Sequence, residues 1–228
     1  MKLLALKNVV MMCTLMLSIN AYALDISTHD DVIILSGDSS HADVAALKSA
    51  LTPAIKTVLL DEVKGNDFTN AWDLADVIKG AKVTTVVKGL CDYNCARMFL
   101  SGQVRMFGDG DSLRRTLLFI SGNAQEYDSG VMYTDAAHLA ALIDMPRNLV
   151  DKWAFQEVWG SDNSFSPAFM LVHHPSIKTF NGVSMIGCPG GTTAKEMQKK
   201  CLPIGEFDAL TAKIITTSEL FKIPDSYY

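Results

Sequence analysis

A cysteine pair brackets a tyrosine and an asparagine in Gly89-Leu90-Cys91-Asp92-Tyr93-Asn94-Cys95-Ala96, where a β-forming run gives way to a helical one. A strand-to-helix junction exposes one side chain, and the helix N-terminus supplies free N–H groups and a partial positive charge. Such a place can seat a nucleophile, hold an oxyanion or lower a thiol pKa. The Cys91–Cys95 spacing is not the C-x-x-C of thioredoxin-like oxidoreductases, so a structural disulfide is the better reading and a redox pair the alternative. Asp61, Glu62 and Asp92 could meet at neighbouring strand ends as a general acid/base pair, because mutually repelling carboxylates separate their pKa values. Read plainly, they are solvated loop acids. His173-His174 beside Pro175 reads as a strand-end surface pair, since adjacent strand residues point to opposite faces and one imidazole makes no metal site. His29 and His41 stand alone in polar surroundings. Gly187-Cys188-Pro189-Gly190-Gly191-Thr192-Thr193 lacks the Gly-Lys-Ser/Thr ending of a phosphate loop and reads as a disulfide-tied turn. No residue set calls for a metal or a cofactor.

The elements that must position these residues alternate. Val32 to Ser36 is a run of β-formers, and Ser40 with Asp43 resembles a capping box for a helix that carries Val44, Leu47 and Leu51 and stops at Pro53. A strand over Lys56 to Asp61 follows. Next comes a helix from Asn66 or Asp67, with Phe68, Ala71, Trp72, Ala75 and Ile78 at helical spacing and Gly80 just past its end. Lys82 to Lys88 is a third strand, Tyr93 to Ser101 a short helix ended by Gly102, and Val104 to Phe107 and Thr116 to Ile120 two further strands. This rhythm predicts βαβ units, a mostly parallel sheet, and a site beyond the carboxyl ends of the strands, at Gly37-Asp38, Glu62 to Asn66 and Gly89 to Cys95. Farther on, Thr134 to Ile143 and Pro146 to Val158 look helical. Ala168 to His174 and Thr179 to Cys188 look like strands, joined as a hairpin through Pro175 and Ser176 or turned at Asn181-Gly182. Trp72, Trp153 and Trp159 are expected in the core or at a self-association surface.

Lys2 and Lys7, an apolar run from Val9 to Ile19, and Ala21-Tyr22-Ala23 have the form of a cleavable export signal, which sets residues 1–23 apart and leaves one expected domain over 24–228. The apolar run is shorter than the roughly 20 residues a spanning helix needs. The location expected is the periplasm, or the outside of a cell that has no outer membrane. Without the signal, 18 basic side chains face 25 acidic ones, a net charge of −7 that excludes nucleic acid as a natural partner. Export also means an oxidising environment, in which Cys91, Cys95, Cys188 and Cys201 would pair. Nearest-neighbour pairing is expected, although four cysteines allow three connectivities.

The cysteine turn resembles that of exported bacterial proteins of the Clp-protease/crotonase-like fold, in which a strand ends in Gly-x-Cys-x-Ser-Ala-Cys before a helix. The resemblance extends to the helix over Asp67 to Lys79, the strand over Val83 to Lys88, Phe99-Leu100-Ser101-Gly102-Gln103-Val104-Arg105, a late cysteine pair (Cys188, Cys201) and Thr217-Ser218. It implies a single α/β domain of stacked βαβ units. It also implies that the position matching the nucleophilic serine is Tyr93, followed by Asn94 in place of alanine. Of the Gly-Gly that contributes to the oxyanion hole in relatives, only Gly65 remains, and the segment at Ser121-Gly122 lacks the histidine base. The next histidine, His138, lies in a helical pattern. Three departures at three segments point to a domain that has kept the fold and lost serine hydrolysis, and that serves as a binding or structural module with a peptide ligand or a second copy as partner. The alternatives are a hydrolase rearranged around Tyr93, Asn94 and His138, and a thiol redox protein using Cys91 and Cys95.

Overall fold

In the computed structural model, the residues described are 24–65, 68–91, 93–109, 117–121, 124–126, 132–134, 143, 169–175, 185–188, 196–200, 202–203 and 208–227. Val32-Ile33-Ile34-Leu35 is buried along its whole length, which fits a strand covered on both faces rather than an amphipathic one. It forms β2 (Val32–Asp38), flanked by the antiparallel β1 (Asp25–His29) and the parallel β3 (Thr57–Lys64). Beyond them lie β4 (Thr84–Lys88) and β6 (Val104–Gly108), both parallel to β3, and at the far edge β13 (Leu220–Phe221). The order in this six-stranded sheet is β1-β2-β3-β4-β6-β13. The mostly parallel α/β architecture expected from the βα rhythm is the one observed.

Helices α1 (Asp43–Ala50), α2 (Phe68–Ala81) and α3 (Tyr93–Leu100) are the crossovers between β2, β3, β4 and β6. Consecutive parallel neighbours joined by crossovers of one hand put every crossover on the same side of the sheet. Two layers of core result. Ile33, Leu35, Val58, Leu60, Val87 and Phe107 face the helices, meeting Leu47 of α1, Leu74 and Ile78 of α2, and Met98 and Phe99 of α3. Val32, Ile34, Leu59 and Val86, one residue out of phase, face the other way, as the period of two requires.

After β4 the chain leaves this sheet. Gly89, with φ of +74°, bends it into β5 (Leu90–Cys91), the edge of a second sheet ordered β12-β11-β10-β7-β5. Here β7 (Leu117–Ser121) runs parallel to β5. The other pairings, with β10 (Phe169–His173), β11 (Met185–Cys188) and β12 (Leu202–Pro203), are antiparallel. A short hairpin joins β8 (Ala124–Glu126) to β9 (Met132–Thr134), and α4 (Met197–Lys200) precedes β12.

Several expectations change. Strand β1 has no counterpart in the βα rhythm of the sequence. Strand β3 runs three residues beyond Asp61, because Glu62 takes a positive φ of 54° as an extra residue between Asp61 and Val63, which pair with Ser36 and Gly37. Helix α2 passes through Gly80 to Ala81, and Lys82, at φ of +55°, takes the left-handed closing position expected of that glycine. Thr134 ends a strand instead of opening a helix, and the second strand of the late hairpin begins at Met185, not Thr179. Ser40 and Asp43 form half a capping box: the Asp43 carboxylate accepts from the Ser40 hydroxyl at 2.9 Å and from its backbone N–H. Pro146 to Val158, Trp153, Trp159, Ser176, Asn181-Gly182 and Pro189 to Thr193 lie outside the described residues.

Candidate functional site

Residue 93 is the first residue of α3, two positions after the end of β5. Asp92, His138 and Cys201 lie outside the described residues, as do the side chains of Tyr93 and Cys188. The geometry of the junction is therefore carried by Cys91, Asn94, Cys95 and the tips of β2 and β3.

Cys91 and Cys95 are joined by a disulfide with sulfurs 2.01 Å apart, and both residues are fully buried in the core between the sheet and the helices. The bond ties the last residue of β5 to the third residue of α3. A redox role needs a sulfur open to an incoming thiolate, and neither sulfur has solvent exposure. The chain-entropy model assigns so short a loop about 2 kcal/mol. The double variant Cys91→Ala/Cys95→Ala should remain folded, with a melting temperature lower by about 4–8 °C in calorimetry. An unchanged melting temperature would mean that the bond stabilises nothing.

Asn94 is fully buried. Its Nδ2 donates to Ser39 Oγ at 2.8 Å, and the Ser39 hydroxyl donates to the Lys64 carbonyl at 3.0 Å. The Ser39 backbone N–H reaches the same carbonyl at 3.0 Å. This short chain of hydrogen bonds joins the start of α3 to the ends of β2 and β3, while Asn94 Oδ1 has no partner among the described residues. Gly65, at φ of +125°, lies directly against it: a Cβ there would stand 2.5 Å from Ser39 Oγ and 2.8 Å from Asn94 Nδ2. The space around the one retained glycine of the expected oxyanion hole is thus taken by side chains of the protein itself. Ser39, absent from the sequence candidates, places a hydroxyl against this junction, and that hydroxyl donates to a carbonyl rather than to a base. Nothing in the pattern Gly37-Asp38-Ser39-Ser40 marks it out, because its partner lies 55 residues away.

Of the three acids, Asp61 and Glu62 are described and do not pair with each other. Asp61 pairs with Lys88 at 3.3 Å, on neighbouring parallel strands. Glu62 is exposed and extends over Gly89, where an added Cβ would lie 2.6 Å from its Cγ and 3.2 Å from its Oε1. The bulge therefore turns Glu62 away from Asp61 and over the bend that leads into β5.

The histidines correct one expectation. His174 is no surface residue but completely buried, its Nε2 3.1 Å from the Gly108 carbonyl and its ring edge-on to Phe107 at 5.4 Å. Burial lowers its pKa, opposed by the Gly108 hydrogen bond, and burial also lowers that of His173. The neutral imidazole is favoured inside an apolar layer because burial costs the cation more hydration than the Gly108 carbonyl returns. His173 Nδ1 is likewise shielded, without a partner among the described residues. His41 pairs loosely with Asp73 at 3.5 Å, and His29 stacks on Tyr227. These contacts engage three of the four described imidazoles, and none of the four is hydrogen-bonded to the Ser39 hydroxyl. Trp72 packs against the helix-side core, with the buried Arg97 guanidinium 5.7 Å from its ring.

No family model matches this chain, and no curated protein matches it. Solved structures do. PA4980 of Pseudomonas aeruginosa is similar over 91% of this chain and 80% of its own, with a TM-score of 0.43 and 12% identity. A point mutant of ClpP1 from Listeria monocytogenes is similar over 54% of this chain and 77% of its own, at TM-score 0.38 and 13% identity. An enoyl-CoA hydratase/isomerase from Marinobacter aquaeolei is similar over 57% of this chain and 61% of its own, at 0.36 and 10%. The neighbours of this mixed α/β fold thus include enoyl-CoA hydratase and ClpP structures. Likeness at this level concerns the course of the backbone and leaves the chemistry to be argued from the residues.

Proposed function

We propose that the chain is an exported domain of the Clp-protease/crotonase-like kind that no longer hydrolyses its ligand and acts as a binding or structural module. One arrangement carries the reading. At the junction from which a nucleophile would act, the buried amide of Asn94, the hydroxyl of Ser39 and the carbonyl of Lys64 are committed to one another, with Gly65 packed closely against them and no imidazole joined to the hydroxyl among the described residues. General-base activation needs a base within hydrogen-bond reach of the proton it removes, and the Ser39 proton is held by a main-chain carbonyl. Residue 93 itself is a tyrosine, whose phenol ionises near pH 10 when unperturbed and is a poor substitute for a serine hydroxyl. The thiol alternative loses support because both sulfurs of the Cys91–Cys95 pair are buried.

Expression of the full chain in a Gram-negative host, followed by isolation from the periplasm, tests both halves. The mature protein should begin at Leu24 by mass, resist labelling by a fluorophosphonate probe, and turn over no ester or peptide in a broad substrate screen. Labelling that disappears in Ser39→Ala would overturn the non-hydrolytic reading, and retention of residues 1–23 in the cytoplasm would overturn export.

A further inference from the structure

The main sheet has one apolar face on which the only helical piece among the described residues is the 3-10 turn Asp225–Tyr227. All three crossover helices occupy the opposite side, so Val32, Ile34, Leu59 and Val86, together with Met106, require another cover. The chain supplies it from its last residues. Strand β13 pairs with β6 through Leu220–Phe107 and Phe221–Gly108, and the segment then crosses the sheet with Phe221, Ile223 and Tyr227 against that aliphatic layer. Ile223 fits where β6 has no side chain: a Cβ on Gly108 would lie 2.6 Å from its Cδ1. At the far edge the Tyr227 ring lies 4.9 Å from that of His29 on β1. Its phenol pKa is raised by burial and by Asp30 and Asp31 in the β1–β2 turn.

This strap is lightly fastened. Phe221, Ile223 and Tyr227 are only partly buried, whereas the aliphatic residues beneath them are at most 6% exposed. Beyond the two-residue β13 pairing, its polar ties to the body in the described contacts are the Asp109 N–H to the Phe221 carbonyl at 2.9 Å and the Ile223 N–H to Asp109 Oδ1 at 2.8 Å. By contrast, the chain just before it is anchored by Arg105, which donates to the carbonyls of Lys213 and Ile214. The exposed Ser218 and Glu219 link the two. A segment with few buried contacts, joined through an exposed link to a firmly held body, opens independently of the rest.

We propose that the outer face of the main sheet is a binding groove for a segment with the pattern aromatic-x-aliphatic followed by a short 3-10 turn that carries a second aromatic. The chain's own C-terminal strap fills it in cis, and the strap of a second copy can take its place to give a strap-exchanged dimer. The occupant is read from what already sits there: the groove accepts Phe221, Ile223 and Tyr227, and another copy offers the same side chains. Exchange of an identical element makes a dimer without a new interface, because every contact formed is one the monomer already makes. This inference does not depend on the non-hydrolytic reading.

The test uses the full chain and a fluorescent peptide of residues 217–228. In cis the strap competes at a high effective concentration, so wild-type protein should take up the peptide weakly. A Phe221→Ala/Tyr227→Ala variant, whose own strap competes poorly, should take it up at least about tenfold more tightly, and a scrambled peptide should not bind. Sedimentation of the wild-type chain should show dimer growing with concentration, and less of it in the variant. Failure of either protein to bind at millimolar peptide, equal uptake by both, equal binding of the scrambled peptide, or a monomer at every concentration would each overturn the proposal. Hydrogen exchange on wild-type protein stands apart from the variant's folding: the amides of Phe221 and Ile223 should exchange well before those of β2 to β4, and equal protection would sink the idea.

Discussion

Replacing Arg105 with alanine should lower the melting temperature by on the order of 10 °C, the largest loss expected from a single polar substitution in this protein. The side chain is 6% exposed and satisfies three carbonyls: Nη1 to Gly102 at 2.7 Å, Nε to Ile214 at 3.1 Å and Nη2 to Lys213 at 2.6 Å. Its backbone adds two more ties, from its N–H to Thr216 Oγ1 at 2.9 Å and from the Thr216 N–H to its carbonyl at 3.0 Å. Lys213, at φ of +57°, turns its peptide so that consecutive carbonyls face one guanidinium. Truncation leaves those acceptors without their donor at a cost of about 1–3 kcal/mol for each one left buried and unsatisfied. It also loosens Ala209, Ala212, Ile214 and Ile215, all buried against the helix-side core. Arg105→Lys should recover little, because one ammonium on a flexible stem cannot match a planar fork with five donors. Thermal unfolding by circular dichroism checks both. A shift under about 2 °C for Arg105→Ala would mean that the C-terminal residues hold their place without it.

Gly102→Ala should cost about 3 kcal/mol, although it adds a single carbon. Gly102 follows α3 closely and its N–H bonds the Phe99 carbonyl at 3.2 Å, which brings the end of the helix down onto β4. A Cβ there would overlap Thr85 Oγ1 and lie 2.7 Å from its Cγ2 and 2.8 Å from its Cβ. Thr85 is fully buried and cannot swing aside, because its hydroxyl donates to the Phe99 carbonyl at 2.6 Å. Overpacking of this kind costs about 1–3 kcal/mol and the broken hydrogen bond about 1 more. The double variant Gly102→Ala/Thr85→Ala should be more stable than the sum of its single changes, since the second removes the two nearest of the three side-chain atoms in the way. Denaturant unfolding of the four proteins in that cycle measures the coupling, and strict additivity would show that Gly102 makes no such close approach.

The neighbours Gly102 and Arg105 differ in how much of their role could be read from the chain. A glycine after a helical run signals a helix end, and α3 does end two residues earlier. That the same glycine must also lack a Cβ because Thr85 lies above it follows only from the contact with β4. Arg105 stands in a strand of apolar residues, where no side chain of opposite charge nearby announces its role. One acceptor, the Gly102 carbonyl, is local, but the other two lie 108 and 109 residues further on.

Sequence by itself determined what depends on neighbours within a few positions. It set the alternation of strands and helices through β6, the apolar phase that buries Ile33 and Leu35 on one face and Val32 and Ile34 on the other, and the turn of residue 93 from strand into helix. Tertiary structure alone decided what depends on distant segments. It buried His174 beneath Gly108, set Ser39 between Asn94 and Lys64, extended β3 through the bulge at Glu62, and laid Phe221 to Tyr227 across the sheet. The division has a physical cause: periodicity and capping are properties of a short stretch of chain, whereas the environment of a polar side chain is fixed by whatever the fold brings against it.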